Sequence, residues 1–127
     1  MKRPFDPKTG LVVVYARFVG PAGSVVARLA LDTGATASMI NWDVAVVIGY
    51  DPAASPKRVQ VTTGSGVEFA PRISVELVEA LGKSRRGFAV LCHTLPPSAT
   101  VDGLLGLDFL RGDQLVVDFG TGTVELR

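Results

Sequence analysis

The feature that most constrains this chain is the segment 29–36 (LALDTGAT), in which an apolar run ends on the carboxylate of Asp32. Burying a carboxylate is costly unless hydrogen bonds or a proton-sharing partner compensate for the lost solvation. Thr33 supplies a hydroxyl that can bond to backbone, and Gly34 allows a sharp turn whose N–H groups face the carboxylate. The segment therefore predicts a buried strand that ends at a carboxylate held by a turn.

The tripeptide Asp32-Thr33-Gly34 also has a plainer interpretation. Asp and Gly are ordinary turn residues, and many strands end in such a turn without any chemistry. Taken alone, the tripeptide favours a purely structural turn. A second motif is therefore needed to distinguish such a turn from a functional site.

The second motif lies about seventy residues downstream, in segment 101–110 (VDGLLGLDFL), where two apolar residues precede a glycine and a short helix-like run. In this order and at this spacing, the two motifs resemble those of the retropepsin family, the retroviral-type aspartic proteases and their bacterial single-domain relatives. The resemblance extends over nearly the whole chain. It implies an all-β closed acid-protease barrel with one or two short helices, aspartic endopeptidase activity, and catalytic roles for Asp32, Thr33 and Gly34.

The length of the chain decides how a pair of aspartates can form. With 127 residues, the chain is predicted to fold as one domain, 1–127, with a modest core, which excludes a two-lobed enzyme. Pepsin-like enzymes carry two Asp-containing motifs, whereas Asp-Thr-Gly occurs once here. A complete pair therefore requires a homodimer with the active site on its two-fold axis. By the resemblance, Thr33 braces the two loops across that axis.

Strand alternation predicts the groove around the motif. Ala30 shares a face with Asp32 because side chains two apart on a strand point the same way. By the same rule, one of Leu104 and Leu105 faces the groove and the other the core. The substrate-binding residues predicted near the motif are Ala30, Ala35, Thr36 and Leu104.

A second set of substrate contacts is predicted in segment 59–69 (VQVTTGSGVEF), which alternates around a Gly-rich tip as a β-hairpin does. By its order along the chain, this hairpin resembles the retropepsin flap, whose tip flexes over a bound peptide. The predicted flap contacts are Thr62, Thr63, Gly64, Ser65 and Gly66. An ordinary surface hairpin is the alternative that these residues leave open.

Three further patterns complete the predicted fold as an all-β barrel or sandwich. Strands are predicted at 11–18 and 25–32, and hairpins at 73–91 and 115–126. A short helix is predicted over 42–48, with Asn41 as its N-cap. The basic cluster at 83–86 is predicted to be a solvated hairpin tip.

Composition and residue types exclude several other functions. A formal net charge of +1 argues against a nucleic-acid partner. A single cysteine, Cys92, rules out an intrachain disulfide and a cysteine-rich metal site, and its neighbour His93 points to the opposite strand face, so a Cys–His nucleophile pair is not expected. No cofactor or metal is expected. The remaining carboxylates are predicted to be caps, turns or surface charges: Asp43, Asp108, Asp113 and Asp118.

The printed chain contains no apolar segment long enough to span a bilayer and no signal peptide at its start. It is therefore predicted to be soluble, and cytoplasmic as printed. An anchor preceding Met1 in a longer protein would instead place the domain in the periplasm.

Two functions of different classes follow from the sequence. The first is an aspartic endopeptidase that acts on peptides or proteins. The second is a catalytically silent dimeric domain that keeps the same groove for peptide binding or assembly. The intact Asp32-Thr33-Gly34 motif favours the enzyme, because a binding module has no reason to keep a costly buried carboxylate.

Overall fold

The chain folds mainly into β-strands, as its alternating apolar pattern predicts. The computed structural model describes residues 1–63 and 66–127. The strands of this part are β1 Lys2–Pro4, β2 Val13–Gly20, β3 Gly23–Leu31, β4 Met39–Asn41, β5 Arg58–Thr63, β6 Gly66–Ala80, β7 Lys83–His93, β8 Gly103–Leu105, β9 Leu115–Asp118 and β10 Thr123–Leu126. The helices are α1 Trp42–Val47, α2 Leu107–Leu110 and a 3-10 turn, Pro52–Ala54. None of these helices has the length and apolar character needed to cross a membrane.

Six strands form a closed barrel in the order β2-β3-β8-β4-β7-β6, which closes because β6 also pairs with β2. Strand β5 pairs with the first part of β6, and the two extend from the barrel as a hairpin. A separate sheet in the order β1-β10-β9 joins the N-terminal and C-terminal segments. The predicted all-β closed barrel with one or two short helices is confirmed, and the sandwich alternative is wrong.

Strand β8 holds the two sequence motifs together. It lies between β3 and β4, parallel to β3 and antiparallel to β4. Leu29 is paired with Gly103 and Leu31 with Leu105. The segment that ends at Asp32 therefore lies directly beside the downstream motif.

Gly103 is required at this crossing by the close approach of β4. A Cβ atom on Gly103 would lie 2.0 Å from the carbonyl oxygen of Met39. No side chain fits at such a distance, so a glycine lets three strands meet here.

The barrel core is apolar, and its largest side chains come from elements that are distant in sequence. Phe18, Leu29, Ile40, Leu105 and Phe109 are fully buried. They belong to β2, β3, β4, β8 and α2, so the core joins both motifs to one barrel. Burying large apolar side chains stabilises the fold by about 1.5–3 kcal/mol each relative to exposure.

The basic cluster at 83–86 does not form the hairpin tip that the sequence predicts. The turn between β6 and β7 is made by Leu81 and Gly82, whose φ angles are 55° and 76°. Two consecutive positive φ angles give the primed turn that matches the twist of paired strands. The cluster itself lies in β7, where the guanidinium of Arg85 contacts the carboxylate of Asp113 at 2.8 Å. The pairing of residues 83–86 with β6 therefore makes the cluster part of the barrel wall.

The predicted helix at 42–48 is observed as α1, but the Asn41 side chain makes no capping hydrogen bond. Asn41 is the last residue of β4 and is paired with His93 of β7. Its backbone N–H donates to the carbonyl oxygen of Asp102 at 2.6 Å. Because strand pairing fixes the backbone here, α1 begins directly at the end of a strand.

Substitution of Gly103 by alanine tests the crossing of β8 with β4. We expect Gly103→Ala to lower the free energy of unfolding by about 1–3 kcal/mol, because the new methyl group collides with backbone that cannot move freely. Chemical denaturation followed by circular dichroism measures the change. The matched control is Gly10→Ala, where an added Cβ meets nothing within 4 Å. Equal stability of the two variants would contradict the role of Gly103.

Candidate active site

Asp32 lies immediately after β3, where hydrogen bonds fix both sides of its backbone. Its N–H donates to the carbonyl oxygen of Leu105 at 3.0 Å, and the N–H of Leu31 donates to Val12 at 2.8 Å. The carboxylate atom Oδ1 accepts the N–H of Gly34 at 2.9 Å. The side chain is half-buried. The structure thus contains the carboxylate held by a turn that the segment predicts.

Three side chains lie on one face of the sheet beside Asp32, which is the face where the sequence predicts the substrate groove and is called the groove face below. In paired strands, residues directly opposite each other point to the same face. Ala30 is opposite Leu104, and Leu104 is opposite Met39. Since Ala30 is two residues before Asp32, all three lie on the face of the carboxylate. Met39 was not predicted from the sequence, although its alternation with the buried Ile40 was a usable signal.

The row of paired residues on this face continues across the barrel to Leu91 and Arg72. Met39 is paired with Leu91, and Leu91 is paired with Arg72. Leu91 is buried, whereas Arg72 is exposed. The groove face therefore changes from apolar beside Asp32 to basic on the far side of β7.

A hydrogen-bonded cluster holds the loop after Asp32 in place. The hydroxyl of Ser38 donates to Asp108 Oδ1 at 2.7 Å and accepts the N–H of Gly106 at 2.9 Å. The backbone N–H of Ser38 donates to Asp108 Oδ2 at 2.9 Å. Ser38 is 1% exposed. These bonds join the first motif to the second, so Asp108 acts as a structural anchor and not merely as a cap or surface charge.

Ala35 connects the same two motifs through its backbone. Its carbonyl oxygen accepts the N–H of Leu107 at 2.8 Å. A Cβ on Gly106 would lie 2.7 Å from this oxygen, so only glycine permits the approach. Ala35 itself is half-buried. Its backbone therefore has a structural role in addition to the substrate contact that the sequence predicts.

The remaining predicted residues of the motif lie at the surface. Thr33, Gly34 and Thr36 are exposed. Within residues 1–63 and 66–127, the hydroxyl of Thr33 makes no hydrogen bond. The motif thus has a half-buried carboxylate next to an exposed hydroxyl that has no hydrogen-bond partner in the described part of the chain.

The predicted flap is the hairpin of β5 and β6. Thr62 is paired with Val67, and Thr63 with Gly66. Thr62 and Gly66 are exposed. Gly64 and Ser65, the two predicted contacts at the tip, lie outside the described residues.

A side-chain contact joins this hairpin to the barrel. His93 Nε2 lies 2.6 Å from Glu68 Oε2. His93 is two residues after Leu91, so it belongs to the groove face. This contact could not be predicted from the sequence, because neither residue has a local signal that indicates the other.

Cys92 and His93 point to opposite sides of β7, as expected from alternation. Cys92 is fully buried in the barrel core, and burial raises the pKa of its thiol to about 12. His93 instead contacts the flap. The structure therefore excludes the two residues as a nucleophile and its base.

A cavity of about 170 Å³ lies between the flap base and the loop after Asp32. Its walls include Thr36, Val59, Arg72, Leu91 and Asp108. Two larger cavities, of about 440 and 710 Å³, lie along the N-terminal segment and include none of the motif residues 32–36.

Comparison with known proteins agrees with this geometry. Residues 16–109 match the family model described as aspartyl protease, and this range includes both motifs. The chain belongs to the aspartyl protease family. No curated protein sequence matches this aspartyl protease chain.

The fold of this aspartyl protease chain is also found in a solved structure. A crystal structure of a retropepsin-like aspartic protease from Rickettsia conorii superposes with a TM-score of 0.74 at 20% sequence identity. The match covers 99% of this chain and 88% of that one. The predicted resemblance to the retropepsin-like fold is therefore confirmed.

Removal of the Ser38 hydroxyl tests the cluster that joins the motifs. We expect Ser38→Ala to lower the free energy of unfolding by about 1–3 kcal/mol, because the buried N–H of Gly106 loses its acceptor. Denaturant titration measures the loss, with Ser74→Ala at an exposed strand position as the control. A stability equal to that of the control would show that the cluster contributes nothing.

The thiol of Cys92 provides a test of its burial. Because its pKa is raised to about 12, the reactive thiolate is scarce at pH 8, and iodoacetamide should leave the folded protein unmodified. The same reagent in guanidinium chloride should alkylate the unfolded chain fully. Mass spectrometry measures both reactions, and rapid alkylation of the folded protein would contradict the buried position.

Proposed function

We propose that the protein is a homodimeric retropepsin-like aspartic endopeptidase. The observation that carries this proposal is the Asp32 carboxylate, which is held at 2.9 Å by the Gly34 N–H beside an exposed Thr33. The family and the fold support a general aspartic protease activity. The roles of individual residues and the dimer belong to the proposal.

The chemistry requires two carboxylates, and each chain carries one Asp-Thr-Gly motif. Two carboxylates placed close together cannot both ionise comfortably, so the pair retains a single shared proton. The ionised member then removes a proton from water, which attacks the peptide carbonyl, while the protonated member donates to the carbonyl oxygen. The two Asp32 side chains of a dimer would act as one titrating unit.

The exposed surface of the motif supports the dimer. A carboxylate used for catalysis needs its partner within a few ångströms, so the motifs of two chains must face each other across a two-fold axis. Thr33 is placed at this surface with no hydrogen-bond partner among the described residues. We assign its hydroxyl to a bond with the partner copy, which would brace both catalytic loops.

The substrate is proposed to be an extended peptide between the groove floor and the flap. Ala30, Leu104 and Met39 supply an apolar surface beside the carboxylate, and Gly34, Ala35 and Thr36 border it. Backbone and hydroxyl groups of the flap would bind the peptide from above. The flap residues assigned to this role are Thr62, Thr63, Gly64, Ser65 and Gly66.

Replacing Asp32 by asparagine tests the catalytic assignment. Asp32→Asn keeps the size of the side chain but removes the acid, so we expect cleavage of unfolded casein to fall by about 10²–10⁴-fold. The matched control is Asp43→Asn, at an exposed carboxylate of α1, which should keep full activity. Specific activity of the unaltered protein should also rise with protein concentration, because only the dimer is active.

Two outcomes would count against this proposal. Unchanged activity of Asp32→Asn would remove Asp32 from the catalytic site. Absence of activity in a protein that analytical ultracentrifugation shows to be dimeric would favour the silent binding domain instead.

A further inference from the structure

Three basic residues, Lys57, Arg58 and Arg72, lie at the base of the flap hairpin. The backbone N–H of Arg72 donates to the carbonyl oxygen of Lys57 at 3.0 Å, so Lys57 is opposite Arg72. Arg58 is paired with Pro71, so its side chain lies on the other face of the hairpin. All three basic residues are exposed. The chain as a whole has a net charge of only +1, so this is a local concentration of positive charge.

None of these cations is neutralised by the described part of the chain. The ion pairs there involve the amino terminus, Arg17, Lys83, Arg85, His93 and Arg127, but not the three residues of the flap base. The guanidinium of Arg58 donates to the backbone carbonyl of Ala53 at 3.3 Å. Lys57 and Arg72 have no side-chain hydrogen bond within residues 1–63 and 66–127.

Arg72 is the member of this group that faces the groove. It ends the row of opposed side chains that begins at Ala30, beside the carboxylate of Asp32. It also lines the cavity between Thr36 and Val59, so it lies between the catalytic loop and the flap. A peptide bound beneath the flap would extend toward this cavity.

The distance from the catalytic carboxylate sets which substrate residue Arg72 would contact. Four strand intervals of about 4.8 Å separate Ala30 from Arg72, which gives roughly 19 Å of sheet. An extended peptide covers about 3.3 Å per residue, and the long arginine side chain shortens the remaining gap. Arg72 would therefore meet a side chain about three to five residues from the scissile bond.

The other charged group of the cavity is already occupied. Asp108 Oδ1 accepts the Ser38 hydroxyl and the N–H of Phe109, and Oδ2 accepts the N–H of Ser38. Its carboxylate thus holds the loop after Asp32 in place. The guanidinium of Arg72 keeps its donors for a ligand, and its planar fork matches a carboxylate.

We propose that Arg72, with Lys57 opposite it in the hairpin, forms a subsite for an acidic residue of the substrate. This inference rests on the proposed peptidase function and names its substrate class. Because the dimer carries two copies of the subsite, one at each end of the groove, acidic residues are selected at similar distances on both sides of the scissile bond.

Cleavage-site profiling tests the subsite. Peptides from a tryptic digest of a proteome are incubated with the enzyme at low ionic strength, and the new termini are sequenced by mass spectrometry. We expect Asp and Glu to be enriched about three to five residues from the cut on each side. High salt should weaken the enrichment, since the subsite is solvent-accessible.

A matched pair of peptides then measures the contribution of Arg72 to selectivity for an acidic residue. The best cleaved acidic peptide and its Glu→Gln counterpart should differ by about two- to fivefold in kcat/KM, as for an exposed charge pair. Arg72→Gln should reduce this ratio toward one. Arg86→Gln, at an exposed arginine of β7 that forms no ion pair among the described residues, should preserve it. A ratio that stays unchanged in Arg72→Gln overturns the proposal.

A binding measurement separates this proposal from the proposed activity. Immobilised Asp32→Asn protein is incubated with the same peptide library at low salt, and retained peptides are compared with those on Asp32→Asn/Arg72→Gln. Selective retention of acidic peptides that depends on Arg72 supports the subsite even if no cleavage occurs. Equal retention by the two proteins rejects it even if casein is cleaved.

Discussion

The pairing of β8 with β3 and β4 is the constraint on which the site depends. It places Leu105 where its carbonyl oxygen accepts the N–H of Asp32, and it brings Gly106 beneath the carbonyl of Ala35. The Ser38 and Asp108 side chains complete the connection with bonds of 2.7–2.9 Å. Polar groups buried at such a crossing cost free energy unless all of them are paired, so the two motifs hold each other in one geometry.

The proposed groove follows from the same crossing, because each strand presents one face to the core and one to the outside. Leu105 and Ile40 fill the barrel, while their neighbours Leu104 and Met39 form the floor beside the carboxylate. A change of core volume at one strand would therefore move the groove on the other side of the sheet. The barrel core thus also supports the face on which we propose that substrate binds.

Local signals allowed much of this arrangement to be predicted. The strand that ends at Asp32, the turn at Gly34 and the flap hairpin depend on alternation and on glycine, which act over a few residues. The anchor between Ser38 and Asp108 joins residues 70 apart, and the contact between Glu68 and His93 joins residues 25 apart. The sequence around a single polar residue does not indicate a distant partner, so these contacts could not be predicted.

The sequence by itself determined that Asp32 ends a strand at a turn. It also predicted that a pair of catalytic aspartates needs a second copy, because one Asp-Thr-Gly motif occurs in these 127 residues. Only the tertiary structure decided which side chains surround it. The basic cluster at 83–86 became barrel wall, while Arg72, without any motif of its own, reached the groove face. Strand order and register determine such placements, and they arise from hydrogen bonds between segments far apart along the chain.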